Sequence, residues 1–465
     1  MDNKILLDIC LAIASRGGRA LLVGGCVRDQ LLGKRLDEIK DFDLEVFGLS
    51  YDEIASTLGA NGQFELEHVG QSFGVLKIKG LNVDISIPRQ EVATGVEHTS
   101  FDISLNPNLT IAEAAQRRDF TINAIYYDPI TCQHIDPMAG IEDLHSKILK
   151  PCSSRFVEDH LRVLRAAQFM ARFGFIASTS LLDMARTMTQ EHLSKERLFE
   201  EWSKLLLRGI DIKTGLEFLK QVGWIKRFYP ELYNLIGCKQ TPAHHPEGDV
   251  WEHTTYCLNH FASKRTGNES EDLQIGFSIL CHDMGKPATS RKDGDKITSY
   301  YHETVGVPYA LSFLNRLTNR HDLLTEVPRY VASHMAPYSF AKNKASDEAV
   351  FKLATKVDSL RKLLRVVDSD QHGRPPRLPN RELLDYWNTR ATHLGVMDQP
   401  LTPIVLGRHF VAEGFPEGPS YKHMIEFAYK MQMRGAFRDE ASAILWIRSN
   451  TGNIRSYAKE KLKDK

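Results

Sequence analysis

The sequence predicts an α+β fold: a head at 1–150 that mixes short strands with helices, a helical neck (151–236), a helical body (237–375) and a helical tail (376–465). Three observations predict it. β-Branched and aromatic runs broken by Gly, Pro or Asn crowd the first 150 residues. From residue 155 onward the apolar residues recur at helical spacing. Two polar, proline-containing stretches, "GCKQTPAHHPEGD" (237–249) and "HGRPPRLPNRE" (372–382), interrupt the helical part and read as domain edges.

In order along the chain, "MDNKILLDICLAIASRGG" has an apolar stripe without the long apolar core of a signal peptide, so it predicts an amphipathic helix. The runs 20–25, 42–48, 75–80, 82–88 and 124–128 predict strands. The stretch 155–175 predicts a helix, with Phe156, Leu161, Leu164, Ala167, Phe169 and Met170 along one stripe. In the tail, Pro416, Gly418 and Pro419 open a helix at Tyr421. Lys422, Lys430 and Arg434 on that helix are placed to touch a nucleic-acid backbone. The charge is balanced, 59 basic against 59 acidic residues, so a nucleic-acid surface must be a local patch. Seven cysteines without a CxxC pair suit a reducing cytosol. No run of about 18 uncharged apolar residues occurs, and the expectation is a soluble cytoplasmic protein with no membrane contact and no obligate protein partner.

Chemistry concentrates first in "LLVGGCVRDQLLG" and "IKDFDLEVFG". Gly24 and Gly25 let the backbone approach a ligand closely, and Arg28 adds a charge-assisted contact to phosphate. Alternation along a strand places Asp41 and Asp43 on one face. Two carboxylates side by side repel, so this pair asks for a cation. Asp84 on a strand able to lie alongside makes a third hard oxygen ligand, which predicts a Mg²⁺ site. Two such ions clamp an in-line phosphoryl transfer. An isolated Asp-x-Asp is usually solvated surface charge; the Gly-Gly-x-x-Arg-Asp element upstream argues against that here. In "QRRDFTINA", Arg118 is a phosphate ligand, and Asp119 with Asn123 can hold a ribose or cap a helix.

"GGCVRD", "DFDLEV", "RRDFTINAIYYD" and "EDHLRVLRA" in this order resemble the successive motifs of class II tRNA nucleotidyltransferases, the bacterial CCA-adding enzyme and poly(A) polymerase family. The resemblance covers residues 18–235 and implies a polymerase-beta-like head. It implies template-independent addition of C, C and A to tRNA 3′ ends from CTP and ATP, with Asp41 and Asp43 holding Mg²⁺ and Asp84 assisting. It further implies that Arg118 contacts triphosphate, that Asp119 selects ribose, and that the helix carrying Asp159, Arg162 and Arg165 serves as the template. Those three are spaced by three and are expected on one helical face. A carboxylate accepts from the exocyclic amine that cytosine and adenine share, and an arginine donates to the adjacent ring nitrogen. Uracil and guanine would leave buried groups without partners, at about 1–3 kcal/mol each. The family often carries arginine where this chain has Gln168, with Arg172 nearby. Residues 89–116, starting at Arg89, are read as including a loop that helps switch from C to A.

Histidines then recur in "EHTTYCL", "LCHDMGKP", "YYHETVG", "ASHMAPY" and "VVDSDQHG". A His-Asp doublet with an earlier His and a later Asp can close a divalent-metal site of mixed N and O ligands. The order resembles an HD-domain phosphohydrolase, which implies His253, His282, Asp283 and Asp370 as ligands, with His302 and His334 lining the pocket. The cation is a divalent transition metal or Mg²⁺, and Asp368 competes with Asp370. Three alternatives stay open: a partial CC- or A-adding enzyme or poly(A) polymerase, an HD phosphohydrolase with an inert head, and a non-catalytic tRNA-binding protein.

Overall fold

A computed structural model describes residues 3–60, 64–70, 74–93, 101–294, 296–416 and 418–463. The chain forms two compact units, Met1–Phe228 and Tyr229–Lys465. The finer division anticipated at 150 and 375 falls inside these units.

The first unit opens with the helix Asn3–Ala14, whose Leu6, Ile9 and Ile13 are buried. The strands follow as β1 (Arg19–Val23), β2 (Phe42–Phe47), β3 (Leu66–Gly70), β4 (Val75–Ile78), β5 (Val83–Ser86), β6 (Arg89–Ala93), β7 (Phe101–Leu105), β8 (Tyr126–Asp128) and β9 (Gln133–Ile135). Seven of them form one sheet in the order β3-β4-β5-β2-β1-β8-β9, and β6 pairs with β7 separately. β2 and β5 run parallel, while the other neighbours in the sheet are antiparallel. The helix Tyr51–Gly59 lies in the connection between those two. Its start is a reciprocal cap: Glu53 accepts from the Ser50 N–H at 2.8 Å, and the Ser50 hydroxyl accepts from the Glu53 N–H at 3.4 Å. Leu44 and Val46 of β2 pack with Ile54 and Leu58 of this helix and with the first helix. Burying the apolar face of β2 turns Asp43 to the opposite face, and that places the site.

β3, β6, β7 and β9 were not among the anticipated strands. They are short, and cross-strand pairing makes them strands. The anticipated helix over 155–175 is divided. A 3₁₀ turn covers Ser154–Glu158, and the α-helix runs only over Arg162–Phe173. Between them Asp159 has extended backbone (φ −121°, ψ 102°), and its carboxylate accepts from the Leu161 N–H at 3.1 Å. A short acidic side chain that bonds the nearby backbone competes with the helical ladder.

The second unit is almost wholly helical. The helices Val250–Ser263, Glu269–Cys281 and Leu360–His372 pack together, and His302–Leu317 packs on His321–Val331. A short hairpin joins Arg291–Asp293 to Lys296–Thr298. The tail builds its own core from Phe410, Phe415, Met424, Ala428, Phe437, Ile447 and Ile454, and its helix Tyr421–Met433 starts at the residue that Pro416, Gly418 and Pro419 predict. Among the described residues no helix is long and apolar enough to cross a membrane.

Candidate active sites

In the head, Phe42 and Leu44 are 2% and 0% exposed, which leaves Asp41 and Asp43 at the surface. Asp43 on β2 stands in register with Asp84 on the parallel β5. The three carboxylates line one cavity of about 400 Å³. Asp84 meets Lys77 of β4 at 3.1 Å. The atoms packed around Asp43 push its carboxyl above the usual aspartate value; Arg118 opposes that, and the charges of Asp84, Asp41 and Glu45 add to it. A carboxyl raised by its like-charged neighbours is one that a divalent cation relieves.

Gly24 ends β1 with φ 84°, and a Cβ built on it would lie 3.3 Å from Asp43 Oδ2 and 3.4 Å from Arg118 Nη1. The left-handed φ is what favours glycine here, and the backbone passes close to the acidic centre. Gly25 starts the helix Gly25–Leu31. Arg28 does not stand free at the mouth of that helix. It is 4% exposed, donates to Asn123 Oδ1 at 2.7 Å and to Asp29, and lies over the rings of Phe169 and Phe173. Asn123 donates in turn to Asp119 Oδ1 at 3.0 Å, and Arg165 donates to Asp119 Oδ2 at 2.8 Å. Residues from three separate motifs thus form one hydrogen-bonded chain across the Gly-Gly helix, the 119–123 turn and the helix Arg162–Phe173. Burial would raise Asp119, but Arg165 and Asn123 hold it below the usual range. Arg118 is placed by Glu45, at 3.5 Å, which also accepts from Tyr126 at 2.7 Å.

Asp159, Arg162 and Arg165 do not share one helical face, because the helix starts at Arg162. The carboxylate of Asp159 is held by both oxygens on Arg197, at 2.8 and 3.0 Å. Arg162 donates to the carbonyls of Arg155 and Arg117, and Arg165 turns to Asp119 and Glu201. Gln168 is 3% exposed and faces the core. Arg89 begins β6; the anticipated switching loop includes 94–100, which lie outside the described residues.

In the body, His253, His282, Asp283, His302, His334 and Asp370 all converge and are at most 6% exposed. Nδ1 of His282, His302 and His334 each bonds the carbonyl three residues back, at 2.7 Å. A carbonyl accepts, so each Nδ1 carries a proton, and each Nε2 is the atom turned inward. His253 Nε2 lies 3.0 Å from Asp370 Oδ1 and 3.4 Å from His282 Nε2. His302 Nε2 lies 3.1 Å from His334 Nε2. Asp283 spans both groups, with Oδ2 at 3.3 Å from His282 and Oδ1 at 3.3 Å from His302. His302 and His334 therefore do more than line the pocket: with Asp283 they form a second donor group. Asp368 stands apart, beside His260 and His372. Burial would raise Asp370, but Arg374 and His253 hold it well below the usual range; His282 and Lys286 do the same for Asp283. Burial, together with His282 and His302, pushes His334 down to about 3, which keeps its imidazole neutral and ligand-competent.

The two polar stretches read as domain edges are in fact walls of this site. Gln240, Thr241, His244 and His245 from the first, and Arg374 from the second, line a cavity of about 420 Å³ with Asp283, Lys286, His302 and His334. Glu247 accepts from Nδ1 of both His245 and His253 at 2.8 Å. Polar residues gathered without periodicity look like a linker in sequence; here they pack around charge. Gly285 of "HDMGKP" is needed as glycine, since a Cβ there would strike the carbonyl of His302. Sequence reasoning also missed Glu45, Lys77 and Arg197. Glu45 alone carried a signal, as the third acidic residue at alternate positions after Asp41 and Asp43.

Residues 20–150 match the poly A polymerase head domain. The chain is 32% identical to a protein of Mannheimia succiniciproducens named multifunctional CCA protein, over 76% of this chain and 84% of that one. A protein of the same name from Actinobacillus pleuropneumoniae is 33% identical over 75% and 82%. Among solved structures, the fold resembles the Bacillus stearothermophilus CCA-adding enzyme in complex with CTP (TM-score 0.67, 19% identity, 97% of this chain and 98% of that one). It also resembles the Thermotoga maritima CCA-adding enzyme complexed with tRNA (TM-score 0.58, 17% identity, 97% and 96%).

Proposed function

The chain belongs to the multifunctional CCA protein family, and we propose that it adds C, C and A to the 3′ end of tRNA from CTP and ATP, releasing diphosphate. The observation that carries this reading is the in-register pair Asp43 and Asp84 on parallel strands, with Gly24 and Arg118 at its edge. The tRNA 3′-oxygen attacks the α-phosphorus, its proton passes to water, and the bond to the β-phosphate oxygen breaks. Asp41, Asp43 and Asp84 suit Mg²⁺, which supplies charge neutralisation on the triphosphate when bound. Arg118 faces the phosphates, held in line by Glu45. Asp119 and Asn123, pre-set by Arg165 and Arg28, meet the ribose. Asp159 and Arg162 read the base, with Arg197 holding the Asp159 carboxylate in place. No protein nucleophile is required, and positioning with electrostatics accounts for the acceleration.

The test is a tRNA transcript ending at the discriminator base, incubated with Mg²⁺ and CTP, ATP, both, or UTP and GTP, and resolved at single-nucleotide steps. Growth by three residues only with CTP and ATP together supports the reading. Arrest after two with both nucleotides present, or extension only of a tRNA already ending in CC, replaces it with a partial enzyme.

A second activity rests on the body: its two donor groups sharing Asp283 suit divalent cations and phosphoester hydrolysis. Lys286 and Arg374, at the cavity wall, are placed to meet a phosphate. Release of nitrophenol from bis(p-nitrophenyl) phosphate, dependent on added divalent metal, checks it.

A further inference from the structure

We propose that Cys257 is a thiolate ligand of the cation held in the body, which makes this a centre for a borderline transition metal such as Zn²⁺ or Co²⁺ and not for Mg²⁺. The proposal rests on the metal reading of that centre.

His253 and Cys257 lie four apart on the helix Val250–Ser263, so they share a face. Both are fully buried, and Cys257 Sγ sits 3.5 Å from His253 Nε2. The other His253 nitrogen is engaged by Glu247 and by the Gly373 carbonyl, at 2.8 and 3.1 Å. The remaining lone pair of His253 therefore faces the same point as the sulfur. Cys257 Sγ, His253 Nε2, His282 Nε2 and the Asp370 carboxylate all lie within 4.8 Å of one another.

The donors lie close enough together to share one cation. Bonds of about 2.0–2.1 Å to nitrogen or oxygen and about 2.3 Å to sulfur set edges of about 3.3–3.6 Å. The edges from His253 measure 3.5 Å to sulfur, 3.4 Å to His282 and 3.0 Å to Asp370, and the edge from His282 to Asp370 measures 4.0 Å. Gly373 is part of the same construction, because a Cβ there would strike Cys257 Sγ and come within 2.9 Å of His253 Cε1. Thiolate favours Zn²⁺, Co²⁺ and their neighbours over the hard cation Mg²⁺. Asp283 stands beside the same group, with Oδ2 3.3 Å from His282 Nε2, while its Oδ1 faces His302 and His334.

The chelator-treated full chain is titrated with Co²⁺ and followed by absorption. Visible d–d bands accompanied by an intense near-ultraviolet thiolate-to-cobalt band, neither displaced by excess Mg²⁺, are expected. Cys257→Ser is expected to keep the d–d bands, lose the charge-transfer band and bind Co²⁺ about 10–100-fold more weakly, with unchanged far-ultraviolet circular dichroism. Cys132→Ser, which removes an exposed thiol, is expected to change nothing. Wild-type d–d bands without the charge-transfer band, or a charge-transfer band that survives Cys257→Ser, would overturn the thiolate while leaving the metal centre standing. No Co²⁺ uptake by the wild type would overturn the centre and the thiolate together.

Discussion

The head and the body both gather carboxylates, in opposite surroundings. Asp41 and Asp43 are exposed and Asp84 is 44% exposed, on a strand surface with no histidine among its lining residues. Asp283 and Asp370 are 1% and 4% exposed, among four histidines and two cations. The open site suits a cation that arrives with its substrate and keeps several waters, which is how Mg²⁺ behaves. The buried site must compensate its charges permanently, and it does so with imidazole, lysine and guanidinium.

The largest expected effect separates the two centres. Asp43→Ala should cut nucleotide addition by about 10³-fold or more in a transcript-extension assay, while metal-dependent hydrolysis of bis(p-nitrophenyl) phosphate stays within about twofold. If both activities fell together, the centres would not be independent. The reciprocal change, His282→Ala, should lower hydrolysis and bound transition metal by about 10²-fold and spare CCA addition. Metal content by mass spectrometry reads it directly.

The third test concerns stability in the second unit. Glu231 bonds Arg316 at 2.8 and 2.9 Å and Ser312 at 2.6 Å. Burial would raise its carboxyl, but these partners hold it below the usual glutamate value. A depressed carboxyl contributes stability above the unfolded-state pKa, about 4.3, and loses it as pH falls through the folded value. Glu231→Gln should therefore cost about 2 kcal/mol near neutral pH. That gap should close below pH ~4, as read by denaturant melts at both pH values. A gap independent of pH would assign the effect to packing. The smallest effect sharpens the account of the head: Arg197→Ala frees the Asp159 carboxylate, and selection of C and A over U and G should weaken about tenfold with tRNA binding retained. Unchanged selectivity would remove Arg197, and the aim it gives Asp159, from base reading.

Much of the head was legible because strand alternation is a short-range rule. Phe42 and Leu44 inward mean Asp41 and Asp43 outward, whatever the rest of the chain does. The helical counterpart of that rule failed for Asp159. Its spacing from Arg162 and Arg165 presumes an unbroken helix, and one local carboxylate-to-backbone bond ended it. In the body, the His-Asp doublet and the four other chemistry-bearing positions were visible in order, yet nothing in their spacing showed that His302 and His334 would share Asp283. Nor did it show that a stretch resembling a linker would hold His253 through Glu247.

The sequence by itself determined which chemical groups are present, the α+β order of the elements and the faces those elements must bury, since periodicity and backbone preference act over a few residues. The tertiary structure alone decided which distant groups meet. Parallel pairing brought Asp84 beside Asp43 across 41 positions, and helix packing brought Asp370 to His253 across 117. Contacts of that separation depend on how whole elements pack, and no local pattern encodes them.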